Sequence, residues 1–294
     1  MFLAIVAAFA SAAFFGASSA VQQRAASHAS LGHLSGVRLL ARLAQKRRWW
    51  LGVGMSAAAF ALHAVALSGA MLALVQPIIV SGLVFGVFVR AALERRLPRP
   101  STIGWCMLTW AGLAVFIAVL KTGPPEPPNL RLAAFCVVVG VLLAAATVLT
   151  LPRVRREERR GLLYGAAAGI FFGLVAGLVK VILDQITSRW WLVVVQWPFW
   201  ALVVVGVVAI VLNQHAFQAT RLSVSMPMVN IADVLVAIAF GVIVFGEPLF
   251  STPVTLMVEV LGLIAMAVGV RQLASRSERH EPAVHSQPRM DVPH

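Results

Sequence analysis

Two carboxylates lie inside long apolar segments, where an ionised side chain is costly. Asp233 falls at the centre of the stretch 222–245, and Glu259 falls within the stretch 252–271. A charge at such depth costs about 2.5 to 3.5 kcal/mol on insertion scales, so intramembrane carboxylates usually face a cavity or a partner. In a cavity, either group could exchange a proton and couple solute movement to a proton gradient. The alternative for each is a hydrogen bond to a neighbouring helix.

Neutral polar side chains at comparable depth are candidates to line the same cavity. Asn230 shares a helix face with Asp233, because the two are three residues apart. For His63 a single hydrogen bond to a neighbouring helix is the simpler interpretation. The full set of predicted lining residues is Asp233, Glu259, Asn230, Asn213, Gln76 and His63.

Prolines and glycines indicate how these helices bend and pack. Pro77 and Pro227 each lie about two turns into a helix and remove one backbone hydrogen bond, which favours a kink suited to a gating helix. Intramembrane prolines are also tolerated without such a role. Glycines recur every four residues in one apolar segment and predict a stripe for close helix packing. They are Gly165, Gly169, Gly173 and Gly177.

Two charged residues stand near the ends of apolar segments. Lys180 is placed where its side chain can extend to the membrane surface or pair with Asp184, and a role as substrate counterion is the alternative. Glu247 directly follows the stretch 222–245. We expect it at the surface, where it caps or orients the turn at Pro248.

The elements that position these residues follow from composition. The chain of 294 residues is 60% hydrophobic and 12% charged, whereas globular proteins carry about 25% charged residues. Apolar runs of about twenty residues match the length of a transmembrane helix. We therefore predict an all-α polytopic membrane protein with about nine spans. They are 2–22, 49–68, 70–90, 103–121, 131–151, 162–183, 190–213, 222–245 and 252–271.

The distribution of positive charge predicts the orientation. Nearly all of the 24 Lys and Arg residues follow the first, third, fifth, seventh or ninth span. The positive-inside rule places these connections in the cytoplasm, with the N-terminus outside and the C-terminus inside. The net charge of +13 is thus a record of topology in a multi-pass protein of the cytoplasmic membrane, and it argues against nucleic-acid binding. A helix at 31–43 would add a tenth span and move the N-terminus inside.

An internal repeat divides the chain. At an offset of 150 residues Pro77 meets Pro227, Ser101-Thr102 meets Ser251-Thr252, and Gly112-Leu113 meets Gly262-Leu263. At an offset of 157, Phe14-Phe15-Gly16 meets Phe171-Phe172-Gly173, and Gln23 meets Lys180. The single span 131–151 between the units reverses the direction in which the second unit crosses the membrane. Such an inverted repeat is typical of secondary transporters. We predict a first repeat at 1–121, a connecting helix within 122–160, an inverted second repeat at 161–271 and a disordered cytoplasmic tail at 272–294.

These features resemble the drug/metabolite transporter superfamily, also called EamA-like, in which two inverted units of five helices occur. The resemblance is carried by the Phe-Phe-Gly helices, by the segment 213–218 followed by Pro227, and by Gly246-Glu247. The chain departs from that pattern, because its first unit has four helices and ends its proline helix in Glu94-Arg95-Arg96. A nine-span layout is also similar to the NIPA-type branch, which implies magnesium transport, so the fold does not define the substrate.

Three functions are consistent with this sequence. The first is alternating-access transport of a small organic metabolite or drug-like solute, with proton coupling through the deep carboxylates. The second is transport of magnesium or another divalent cation, with Asp233 and Glu259 as oxygen ligands. The third is a non-transporting scaffold or a partner in moving a lipid-linked intermediate. The sequence contains no GxxxxGK[ST], HExxH or GxSxG motif, so we predict neither an enzyme nor a cofactor. It leaves the oligomeric state open, a homodimer included.

Overall fold

The computed structural model describes residues 1–27, 47–121, 123, 126–186, 190–219, 222–248 and 252–278. The stretch 31–43, where the sequence left a tenth span open, lies outside these ranges. The α-helices are α1 (Phe2–Ser27), α2 (Arg47–Gly69), α3 (Leu72–Val80), α4 (Gly82–Glu94), α5 (Pro100–Val119), α6 (Leu130–Thr150), α7 (Glu157–Gln185), α8 (Trp197–Ala219), α9 (Leu222–Phe245) and α10 (Pro253–Glu278). Two short 3-10 helices occupy Leu151–Arg153 and Trp190–Val195.

The described residues form an all-α membrane protein, as predicted. They contain nine helical segments that are long and apolar enough to cross a bilayer, α3 and α4 together forming one of them. Each overlaps one predicted span. The seventh begins later than expected, because residues 190–195 form a 3-10 helix and α8 starts only at Trp197.

The last helix is longer than the sequence indicated. The tail was expected to be disordered from residue 272, but α10 continues to Glu278. Leu273 is buried in a small cluster with Val84 and Cys106, so the last turns of α10 have apolar surface to pack against. Residues 279–294 of the predicted tail lie outside the described ranges.

The short helix α3 lies at the centre of the bundle. All of its residues except Ile79 are buried. It is separated from α4 at Ser81, whose backbone N–H donates to Pro77 O at 3.2 Å and to Ile78 O at 3.1 Å. Pro77 lies within α3, whereas α9 continues without interruption through Pro227. The third span is therefore discontinuous, with a break one turn after its proline.

The helices of the two predicted repeats make matching contacts. Helix α1 packs on α2 and on α3–α4, and α7 packs in the same way on α8 and α9. Between these groups α5 lies against α10. Gly112 and Gly262, which the 150-residue offset pairs, meet directly: a Cβ atom added to Gly112 would lie 2.6 Å from Gly262 O. Two positions equivalent by sequence thus lie at one point of the interface.

Candidate functional site

A buried acid joins the end of α9 to the start of α3. Glu247 is 6% exposed, and its carboxylate accepts hydrogen bonds from Leu72 N at 2.8 Å and Ala73 N at 3.2 Å. The first backbone N–H groups of a helix have no partner within it, and the helix dipole favours negative charge there. Glu247 therefore caps the N-terminus of a helix 175 residues away in sequence.

Lys180 completes this cap from α7. Its ammonium nitrogen lies 3.5 Å from Glu247 Oε1, and the lysine is only 4% exposed. It also donates to Ala70 O at 2.6 Å and lies 5.0 Å from the centre of the Phe245 ring. The sequence allowed Lys180 either to extend to the membrane surface or to pair with Asp184; its buried ammonium instead makes its ion pair with Glu247, which comes from a distant helix end. We call these contacts of Lys180 and Glu247 with residues 70–73 the latch.

Local sequence explains how Glu247 reaches the cap. Gly246 adopts a left-handed conformation with φ 62°, which turns the chain sharply after α9. The Glu247 N–H then donates back to Gly241 O at 3.2 Å. Gly241 also leaves room for the acid, since a Cβ atom there would collide with Glu247 Oε2. The expectation that Glu247 lies at the surface is therefore wrong, because this turn directs it inward.

The opposite end of the bundle differs in chemistry. The positions equivalent to the two latch residues are neutral here. At the 150-residue offset Pro248 is equivalent to Pro98, and Glu247 is equivalent to Leu97. At the offset of 157, Lys180 is equivalent to Gln23. Leu97 is 95% exposed. A cavity of about 280 Å³ lies here between the ends of α4, α5 and α10. We call this end, which carries residues 90–99 and 153–160, the arginine end.

Asp233 lies on the side of α9 that packs on the glycine stripe of α7. A Cβ atom at Gly169 would lie 3.0 Å from Asp233 N, and one at Gly173 would lie 2.7 Å from Asp233 O. Gly165 and Gly177 contact the same helix one turn to either side. Asp233 Oδ1 is buried without a hydrogen-bond partner among the described residues. Close backbone packing thus places an unpaired carboxylate oxygen in the interior.

Glu259 lies on α10 and is 2% exposed. Both of its carboxylate oxygens lack a hydrogen-bond partner within the described part of the chain. Gly262, one turn on, packs against Phe116 and Gly112 of α5. Helices α9 and α10 pack on each other, but Asp233 lies where α9 contacts α7, and Glu259 lies one turn before the contact of α10 with α5. The described residues contain no group of three or more His, Cys, Asp or Glu side chains that could hold a metal ion.

The predicted neutral lining residues divide between two environments. Gln76 Nε2, Asn213 Oδ1 and His63 Nε2 are buried, and none has a hydrogen-bond partner in the described ranges. Among the described residues His63 thus lacks the expected interhelical hydrogen bond at Nε2. Its ring lies 6.5 Å from that of Phe60. Asn230 instead lines a cavity of about 40 Å³ with residues of α3, α9 and α10.

The small cavity lies where the two predicted repeats meet. Val80 and Asn230 both line it, and the 150-residue offset pairs these two positions. Its other lining residues include Leu263, Met266 and Val270 of α10. One turn further along α10, Leu273 lines the larger cavity at the arginine end. The two cavities thus follow each other along α10.

Comparisons with known proteins give no functional name. No protein-family model matches the chain, and no solved structure matches it. An uncharacterized protein of Corynebacterium glutamicum is 28% identical over 207 residues, which cover 68% of this chain and 69% of that protein. The resemblance to EamA-like transporters therefore stays a prediction.

Proposed function

We propose that this protein is a secondary transporter that moves a small organic solute across the cytoplasmic membrane by alternating access. The observation that carries the proposal is the difference between the two ends of the bundle. One end is held by the buried Lys180 and Glu247 of the second predicted repeat, which bond to Ala70 O, Leu72 N and Ala73 N of the first. At the other end the equivalent positions are Gln23 and Leu97, and a cavity is present.

An inverted repeat gives a physical reason for this difference. If both halves share one fold in opposite orientations, exchanging their conformations closes one end and opens the other. The discontinuous α3–α4 span and the buried polar atoms of Gln76 and Asp233 are further features that such transporters use near their substrate sites. The structure then corresponds to a state closed at the Glu247 end.

Orientation follows from the positive-inside rule. The arginine end would face the cytoplasm, and the latch would close the outer side. Small-molecule sites have volumes of about 300 to 1,000 Å³, so the cavity of about 40 Å³ beside Asn230 must enlarge to admit an organic solute. We expect α3 and α10 to separate there when substrate binds.

Proteoliposome flux tests the proposal. Purified protein is assayed for proton-driven uptake of a panel of organic solutes and for Mg²⁺ flux, alongside Asp233→Asn and Glu259→Gln. Glu126→Gln is the matched control, because this carboxylate is exposed before the start of α6. We expect solute flux that falls at least tenfold in Asp233→Asn and is unchanged in the control.

The other outcomes separate the alternatives. Mg²⁺ flux without any proton dependence would overturn the organic-solute proposal in favour of cation transport. A correctly folded protein that moves none of the tested species would favour the scaffold function. Organic-solute flux that persists in both carboxylate variants would retain transport and remove Asp233 and Glu259 from its mechanism.

A further inference from the structure

The larger cavity at the arginine end has the composition of an anion site. Three of its ten lining residues are arginines: Arg90, Arg96 and Arg99. Its one acid is Glu94, whose Oε1 accepts a hydrogen bond from Arg90 Nε at 2.8 Å. Arg96 and Arg99 have no ion-pair partner in the described part of the chain. The lining therefore keeps two uncompensated positive charges.

Backbone geometry adds to this positive field. Helix α5 begins at Pro100 with Arg99 as its N-cap residue, and the Arg99 side chain makes no capping hydrogen bond. The helix is 20 residues long, and Thr102 of its first turn lines the cavity. The N-terminal end of a helix dipole carries about half a positive charge, which favours phosphate and other anions.

The remaining walls are apolar and indicate an organic ligand. Val87, Ala91 and Leu273 line the cavity together with Leu97, which is 95% exposed. A volume of about 280 Å³ is near the lower limit of small-molecule sites, which begin at about 300 Å³. Arginine recognises phosphate oxygens through paired N–H donors. Basic pockets between helix ends at the membrane surface are suited to anionic headgroups.

We propose that this cavity binds the phosphate group of an amphiphilic or small organic molecule that carries net negative charge, with Arg96 and Arg99 as its principal ligands. Arg90, held by Glu94, contributes a third donor side chain at the wall. The chemistry is common to two sources, the headgroup of an anionic phospholipid and a soluble organic phosphate. The site goes beyond the proposed transport function and does not depend on it.

Binding to purified protein in neutral detergent tests the site. The probes are short-chain phosphatidylglycerol, short-chain phosphatidylcholine and glycerol 3-phosphate, each titrated by calorimetry at fixed ionic strength. The double variant Arg96→Gln/Arg99→Gln is compared with Arg153→Gln/Arg155→Gln. The control pair removes the same charge from the α6–α7 connection, at the same end of the bundle and outside the cavity.

We expect phosphatidylglycerol to bind, and the Arg96/Arg99 variant to weaken it at least tenfold while the control pair changes it less than twofold. Glycerol 3-phosphate binding with the same variant dependence would assign the site to soluble organic phosphates; its failure to bind would assign it to lipid. Equal weakening in both double variants would overturn the proposal, because it would indicate general surface attraction. Wild-type binding in the Arg96/Arg99 variant, or equal affinity for phosphatidylcholine, would overturn it as well. Neither result would affect the flux experiment.

Discussion

Replacing Glu247 by Gln should open the Glu247 end of the bundle. The carboxylate accepts two backbone N–H groups, at 2.8 Å from Leu72 and 3.2 Å from Ala73, and faces Lys180 at 3.5 Å. An amide of the same shape keeps one acceptor oxygen but turns an NH₂ group toward donors. It also leaves the Lys180 ammonium without its counterion.

The magnitude follows from these contacts. A hydrogen bond to a charged group contributes about 1.5 to 3 kcal/mol, and removing one partner of a buried ion pair costs about 3 to 5 kcal/mol. These figures overlap rather than add, and Gln retains one of the two backbone bonds. We therefore expect the closed state to lose about 3 kcal/mol, which is roughly a hundredfold in its equilibrium with the open state at about 1.4 kcal/mol per factor of ten.

Cysteine labelling measures this shift. Ala73→Cys, in a background of Cys106→Ala and Cys136→Ala, places a thiol at a fully buried position of α3 beside the latch. A membrane-impermeant maleimide is added from the outer side. We expect its reaction rate to rise at least tenfold and at most about a hundredfold with Glu247→Gln, since the rate follows the open fraction, which levels off once the open state predominates.

Glu126→Gln is the control, because this acid is exposed next to Gly246. Folding of every variant is checked by its melting temperature and elution volume. A folded Glu247→Gln protein that is labelled at the wild-type rate would refute the assignment of a latch. An equal rise in the Glu126→Gln variant would refute it too, because the effect would then belong to outer charge in general.

Three further predictions concern packing, pairing and the central cavity. The double variant Lys180→Met/Glu247→Leu should be labelled more slowly than either single variant, because replacing the whole buried pair with apolar groups leaves no unpaired charge. A double-mutant cycle of labelling rates measures the coupling, and additive effects would contradict this prediction. Gly173→Ala should lower the free energy of unfolding by about 1 to 3 kcal/mol, since its Cβ would lie 2.7 Å from both Asp233 O and Val236 Cβ. The control Gly104→Ala, whose Cβ would have no atom within 4 Å, should leave the melting temperature unchanged or raise it. Asn230→Leu should raise the KM for a transported solute at least tenfold, with Val242→Leu on the exposed side of α9 as control, and an unchanged KM would remove Asn230 from the site.

The spans could be predicted from sequence because their length is set by the bilayer and their apolar residues are contiguous. The contacts of the latch could not be predicted in this way. The sequence offered Asp184 as one possible partner of Lys180, because neighbours three or four residues apart are the contacts that a helix sequence reveals. The ion pair with Glu247 depends on how α7 and α9 cross. A signal was present: Glu247 and Lys180 are the charged members of two repeat pairs whose other members, Leu97 and Gln23, are neutral.

The neighbours of the deep carboxylates could not be predicted from the sequence either. Spacing placed Asn230 and Asp233 on one face of α9, and both lie on that helix as expected. Yet α9 is covered on more than one side: α7 packs against the Asp233 backbone, while α3 and α10 enclose the cavity at Asn230. Periodicity gives the face of an isolated helix, but which neighbour covers each part of it is a property of the bundle.

The chemistry of the latch suits the proposed cycle better than an apolar seal would. Inside a protein a buried ion pair often stabilises no more than apolar residues of the same volume, because dehydrating both charges offsets their attraction. Lys180 and Glu247 lie at an end of their helices, so opening would return both groups to water and recover that hydration. The closed and open states can therefore differ by only a few kcal/mol in free energy, even though the closed contacts are numerous. A difference of about 1 to 3 kcal/mol in how tightly substrate binds the two states can then shift the balance between them. In the proposed cycle an inverted copy of the latch at the arginine end would stabilise the opposite state equally. The neutral Gln23 and Leu97 would then bias the substrate-free protein toward closure at the Glu247 end.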